Sequence, residues 1–239
     1  MANDRRGKEP ILIPPDYSKS LTAHRRYLDS LPKGGRRDVI LYRTGFIHGL
    51  MGQPELAVPL WKKLLEDYPL SRQAASAQVR LGEFHFAGGA FDSANTHYGK
   101  VEVQDSTKGY WWDRAFYHKA EALFRTANYP AAISTYFEYL ERADKKRFPG
   151  DCRAFAVARL GQSFAELPNH YREAVEFFRR NGNRGYADTV FYELAMSLAR
   201  NKGSEQAAPA MGHFLSAYPD DPLGKPLRQK MTDTGAVSR

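Results

Sequence analysis

Acid–base catalysis needs two carboxyl groups whose surroundings hold their protonation states apart. Glu121 and Glu166 are the pair this chain would offer, yet acidic residues recur along its whole length and nothing singles these two out. The seven histidines are scattered, with no His-x-x-x-His and no histidine–cysteine pair at ligand spacing, so no metal site is expected. His48 and His85 fall at equivalent places in two similar segments. The single cysteine, Cys152, rules out an intramolecular disulfide. A reactive thiol there would need a neighbouring base and exposure, and a small packing residue is the simpler reading. Gly-x-Ser-x-Gly, the phosphate loop and the dinucleotide fingerprint do not occur, and Gly88-Gly89 reads as a helix–helix turn. The expectation is a protein that is not an enzyme and takes no cofactor.

The elements that carry these residues explain their spread. Small residues at Gly45, Gly82, Ala120, Gly161 and Ala195 are each followed by an alanine, at Ala57, Ala94, Ala132, Ala174 and Ala207. A bulky residue comes one helical turn later, at Trp61, Tyr98, Tyr136, Phe178 and Met211. Recurrence at a fixed period is the mark of a repeat architecture. Two antiparallel helices approach closely only where facing side chains are small, and the bulky residue is expected to fill the groove to the next repeat. Tyr68-Pro69 and Tyr218-Pro219 end the first and last copies, since proline cannot continue a helix. The spacing predicts helix pairs over 38–51 and 54–67, 72–87 and 91–103, 111–126 and 129–144, 151–166 and 170–180, and 187–200 and 204–217. A lead-in helix is expected over 17–31, broken by Pro32-Lys33-Gly34-Gly35, with one short helical turn after 222.

These positions resemble the tetratricopeptide repeat (TPR) family. Gly45, Ala57, Trp61 and Pro69 fit its pattern of a small residue, an alanine, an aromatic and a proline. The later copies depart from it: Ser106 stands where a proline would, repeat four carries one extra residue around Leu167-Pro168-Asn169, and Met211 replaces the aromatic. The resemblance covers roughly 38–221 and implies an all-α, right-handed superhelical solenoid of about five antiparallel helix pairs. Residues 1–37 would be a basic arm and 222–239 a basic tail or cap. In such arrays the first helix of each pair lines the concave side. Carried over residue by residue, the ligand-facing positions are Tyr42 and Phe46, then Val79, Glu83 and Phe86, then Arg114, Tyr117, Glu121 and Arg125. Repeat four supplies Phe155, Gln162 and Glu166 with Arg159 adjacent, and repeat five Tyr192, Met196 and Arg200. Aromatic and arginine side chains bury area with few rotamers and give directed hydrogen bonds, which suits a protein–protein hot spot. The carboxylate clamp of chaperone-binding members needs Lys and Asn where this chain has Tyr42 and Phe46, so that subclass is not expected.

The formal charge of +8 is unevenly placed. Residues 1–37 carry a net +5 and 222–239 a net +3, leaving 38–221 neutral. A basic flank can hold phosphates or anionic lipid, so peripheral membrane contact through the flanks is one option, whereas the simpler reading is a solvated tail. Arg142, Lys145, Lys146 and Arg147 end a second helix, where cations complement its dipole, and Arg179, Arg180 and Arg184 read likewise. No nucleic-acid-binding signature occurs, and nucleic acid is not an expected partner. No run of residues is long and apolar enough for a membrane span.

The leading expectation is a non-catalytic scaffold that holds a peptide or helix of another protein within a multiprotein complex. The Tyr-Pro terminators look like those of bacterial envelope TPR proteins serving assembly, division or motility. One alternative is the helical regulatory region of a cell-wall lytic enzyme. Another is an intracellular adaptor contacting RNA or membrane through the basic flanks. The first residues, Met1-Ala-Asn-Asp-Arg-Arg-Gly-Lys, do not form a secretory signal. Localisation is periplasmic or outer-membrane-associated if a signal has been removed, and cytoplasmic otherwise.

Overall fold

The computed structural model describes residues 16–30, 35–104, 109–145, 152–182 and 184–233. The Ile11-Leu12-Ile13 triplet, the break at Pro32-Lys33-Gly34, Ser106, and the cations Lys146 and Arg147 lie outside them. The described residues are all-α, of helical-repeat type, with no strand among them. The chain divides into two compact units, 1–67 and 68–239.

The first unit holds α1 (Ser18–Ser30), α2 (Arg37–Leu50) and α3 (Pro54–Asp67). Leu41, Ala57, Trp61 and Leu64 are buried. The close approach of α2 and α3 is made by Gly45, but differently from the expectation. A Cβ on Gly45 would fall 2.9 Å from Cδ1 of Trp61, so the indole lies on the bare glycine of its own pair. The indole N–H then donates to the carbonyl oxygen of Tyr42 at 3.4 Å. Helix α1 buries no residue fully and leans on α2 through polar bonds, Nδ1 of His24 lying 3.1 Å from Oγ1 of Thr44. Between α1, α2 and α3 an open cleft of about 440 Å³ is lined by Leu21, Leu28, Leu56, Pro59 and Leu60, with Arg25, Asp29 and Glu55 among the lining residues.

The second unit runs through α4 (Ala74–Ala87), α5 (Phe91–Gln104), α6 (Tyr110–Arg125), α7 (Tyr129–Asp144), α8 (Arg153–Ala165), α9 (His170–Asn181), α10 (Ala187–Asn201), α11 (Ser204–Ala217) and α12 (Gly224–Asp233). Ala94, Ala132, Ala174 and Ala207 are 0% exposed, as the repeat spacing requires. Gly82 repeats the arrangement of Gly45, since an added Cβ would stand 2.7 Å from Cδ1 of Tyr98. The ring that covers Gly82 is also stacked by His118, with centroids 5.7 Å apart. Gly161 breaks the pattern. Its missing Cβ would meet the Val190 carbonyl oxygen at 2.5 Å, so α8 lies against the backbone of α10, the first helix of the next pair.

The turns within pairs also differ by one residue type. Gly52 and Gly89 hold φ of 68° and 75°, the left-handed region that glycine adopts freely. The third pair places Ala127 there, at φ 58°. The hydrogen bond that follows is shared by all three turns. Gln53 donates to His48, Ala90 to His85 and Asn128 to Leu123, at 2.9, 2.9 and 3.0 Å. In repeat four the extra residue delivers His170 to the start of α9 at φ 35°.

The single turn expected after residue 222 is a helix of 10 residues. Asp221 starts it by accepting from the Leu223 amide at 2.8 Å, and Leu227 is wholly buried against the last pair. An apolar residue with somewhere to pack extended the element beyond what its prolines suggested.

Candidate partner-binding groove

In the second unit the first helices of the pairs are α4, α6, α8 and α10. Residues four apart on a helix share a face, so Tyr110, Arg114, Tyr117, Glu121 and Arg125 form one stripe on α6. Phe155, Arg159, Gln162 and Glu166 form another on α8. The stripes are joined by a ladder of ion pairs. Arg114 pairs with Glu83 of α4, and Arg80 approaches the same carboxylate at 2.9 Å. Arg159 binds Glu121 through two parallel bonds, Nε to Oε2 at 3.0 Å and Nη2 to Oε1 at 2.9 Å. Nη1 of Arg159 donates to Gln162 at 2.8 Å, and the Gln162 amide reaches Glu193 of α10 at 3.4 Å. Arg200 stands 3.9 Å from Glu193, and Lys202 stands 3.9 Å from Glu166 while donating to the Ala165 carbonyl oxygen at 2.7 Å.

Glu121 is the buried member, 7% exposed. It accepts a third bond, from the Tyr136 hydroxyl at 2.9 Å. A forked guanidinium matches a carboxylate in plane, and such pairs are the stronger kind. Burial and the Glu121 carboxylate both work against phenolate formation. They push Tyr117 up to about 12 and raise Tyr136 above its ordinary value. Both phenols therefore stay protonated at neutral pH. Burial opposes the charge on Arg114, but Glu83 outweighs it and raises the guanidinium. The imidazole of His118 is held below its ordinary value by burial and then by Arg114.

The structure thus pairs Glu83 with Arg114 and, separately, links Glu121, Arg159, Gln162 and Arg200 into one polar chain through Glu193. It treats the expected aromatic contacts differently. Phe86 packs edge-on to Phe91 and His118, with centroids at 5.1 and 6.0 Å. Tyr117 packs against Tyr136 and Tyr139, and Tyr192 and Met196 lie against the main core. Val79 is 0% exposed and belongs to the interior. Phe155 is different, since 65% of it is open to solvent. Arg125 is exposed, its guanidinium 5.1 Å from the centroid of Phe91. Tyr42 and Phe46 stack on each other within the first unit, with centroids at 6.3 Å.

Sequence reasoning missed Arg80, Tyr136 and Glu193, each of which completes a bond to an expected residue. Arg80 and Glu83 are three apart on one helix, a spacing that flags ion pairs. Tyr136 carries no such signal, because Glu121 lies on another helix, and the Gln162 that Glu193 accepts from lies on α8. Among the described residues no group of His, Cys, Asp and Glu could hold a metal ion. None of the described helices is long and apolar enough to cross a membrane.

Comparison with known proteins agrees with the helical-repeat fold. Residues 40–71 match the tetratricopeptide repeat family model. Among solved structures, the chain is similar to YrrB, described as a TPR protein with an unusual peptide-binding site. That likeness has a TM-score of 0.53 at 14% identity and covers 87% of this chain and 99% of YrrB. It is also similar to the C-terminal part of a TPR repeat-containing protein from Cytophaga hutchinsonii, with a TM-score of 0.53 at 13% identity, covering 93% of this chain and 79% of the other. Curated protein sequences give no significant match. By sequence over residues 40–71 and by fold over most of its length, the chain resembles the tetratricopeptide repeat family.

Proposed function

We propose that the chain is a non-catalytic scaffold that holds a peptide or helix of a partner protein against the first helices of the 68–239 unit. The observation that carries this reading is the ladder through Glu83, Arg114, Glu121, Arg159, Gln162 and Glu193. It fixes directed polar groups on adjacent helices while leaving Phe155 beside them open. Preorganised arginines next to exposed apolar area are what a protein interface rewards. The resemblance to YrrB, a protein with a peptide-binding site, supports the same reading by analogy. Tyr42 and Phe46 offer a separate aromatic surface on the first unit.

The finer assignment is to a bacterial cell-envelope complex, which rests on the Tyr68-Pro69 and Tyr218-Pro219 terminators. A photo-crosslinking amino acid placed at Phe155, with one at exposed Ser134 on α7 as control, tests the groove in source cells. Specific protein adducts at 155 and none at 134 are expected. Equal labelling at both would overturn the groove. Envelope proteins among the adducts would support the finer assignment, and ribosomal or other cytoplasmic proteins would replace it.

A further inference from the structure

The ladder gives nearly every charge on the groove face a partner of opposite sign. Glu83, Glu121, Glu166 and Glu193 each have a cation, Glu83 two of them, and every one of those cations lies within 4.0 Å of a carboxylate. Arg125 is the exception. It lies on an aromatic face, is exposed, and has no carboxylate partner among the described residues. Phe155 is the corresponding apolar exception, open to solvent with no ring packed on it among the described residues.

The two exceptions flank one bridge. Arg125 follows Glu121 by four residues, and Phe155 precedes Arg159 by four. Each therefore stands about 6 Å of helical rise from the Glu121–Arg159 pair. Both helices run antiparallel to α7. Tyr136 meets Glu121 while Tyr139 meets Tyr117, and Arg153 at the start of α8 meets Asp144 at the end of α7. Helices α6 and α8 are then parallel, and the two exceptions lie on opposite sides of the bridge, about 12 Å apart along the helix direction.

Resting on the groove reading above, we infer that this site selects a polypeptide segment with one carboxylate side chain, for Arg125, and one apolar side chain, for Phe155. At about 3.3 Å per residue, an extended segment laid along α6 and α8 would space the two about four residues apart. A helical segment would space them about eight apart. The bridge between them offers no free charge, so the intervening residues are not selected for charge. A partner rich in basic residues is rejected, because nothing on this face is left to receive them.

A random twelve-residue peptide library displayed on phage tests the inference against the full-length protein and its Arg125→Glu and Phe155→Ala variants. Both positions are exposed, and matching circular dichroism confirms each variant's fold. Arg125→Gln replaces the first if it does not fold. Enriched peptides are expected to pair Asp or Glu with an apolar residue at one of the two spacings. Binding of an enriched peptide is expected to weaken about tenfold with Arg125→Glu. It should recover when the peptide's carboxylate is exchanged for lysine. Phe155→Ala should erase the apolar preference. Enrichment without an acidic position, or binding indifferent to Arg125→Glu, overturns the inference and leaves the groove reading intact. A parent protein that enriches no peptide overturns both.

Discussion

Gly82 and Gly161 occupy the same place in the repeat pattern and do different work. Under Gly82 lies the Tyr98 ring from the same pair, which can tilt or be trimmed. Against Gly161 lie the Val190 carbonyl oxygen and the Leu194 amide of the following pair, which cannot. In repeat two the small residue lets a pair close on itself. In repeat four it lets one pair close on the next. A repeat signature therefore records that some surface comes close, without recording whether that surface is a side chain or a main chain.

The sharpest way to break this contrast is alanine at both positions. Gly161→Ala is expected to cost about 2–3 kcal/mol despite alanine's better helix propensity, because the obstruction is backbone. Chemical denaturation followed by circular dichroism reads it, and a neutral result would dissolve the contrast. Gly82→Ala should cost less, about 1–2 kcal/mol, since a ring can yield. Adding Tyr98→Leu to Gly82→Ala should recover at least about 1 kcal/mol of coupling in a double-mutant cycle. No truncation of Glu193 should rescue Gly161→Ala in the same way. Additive costs in the first cycle would mean that Tyr98 is not what fills the space.

The ring stack over Gly82 carries its own pH dependence. Because burial and Arg114 depress the His118 pKa, the unfolded chain takes up a proton at higher pH than the folded one does. Stability is then complete above the ordinary histidine value and is lost as pH falls through the lower folded one. Melting temperature should drop between pH 7.5 and pH 5, and His118→Phe should flatten that slope. An unchanged slope would assign the acid sensitivity to other groups, His213 among them, whose pKa is also lowered by burial. The smallest effect expected is a gain. Ala127→Gly gives the third turn the residue its φ calls for and should add about 0.5–1 kcal/mol, visible as a modest rise in melting temperature. A loss there would show that Ala127 is held by contacts its turn hydrogen bonds do not reveal.

Helix existence was legible because pattern and punctuation agreed: Gly52, Gly88 and Gly89 mark turns, and the buried alanines recur every 33 to 42 residues. Even Pro59 and Pro209, inside α3 and α11, did not obscure those helices. What could not be read was the identity of the neighbour. That the Trp61 indole lies on Gly45 of its own pair was not legible, since spacing along one chain cannot say which face a ring turns to. The groove shows the same limit. The arginines and glutamates of the ligand-facing positions do come together, yet Phe86, Tyr117 and Val79 at equivalent positions pack inward. Position in the repeat predicts the face of the helix. Burial of a particular side chain depends on how far the next helix tilts over it.

Helix α1 bears on a different property. It contributes no fully buried side chain, and its ties to α2 include the His24–Thr44 contact and the bond from Arg37 to the Leu28 carbonyl oxygen. Such a helix opens alone, without waiting for the rest of the first unit. Its amides should exchange with solvent on a much shorter timescale than those around Trp61. Trypsin acting on the native protein should find its first described cleavage sites in α1, at Lys19, Arg25 and Arg26. Trimming at those sites would leave the Gly45–Trp61 pairing in place.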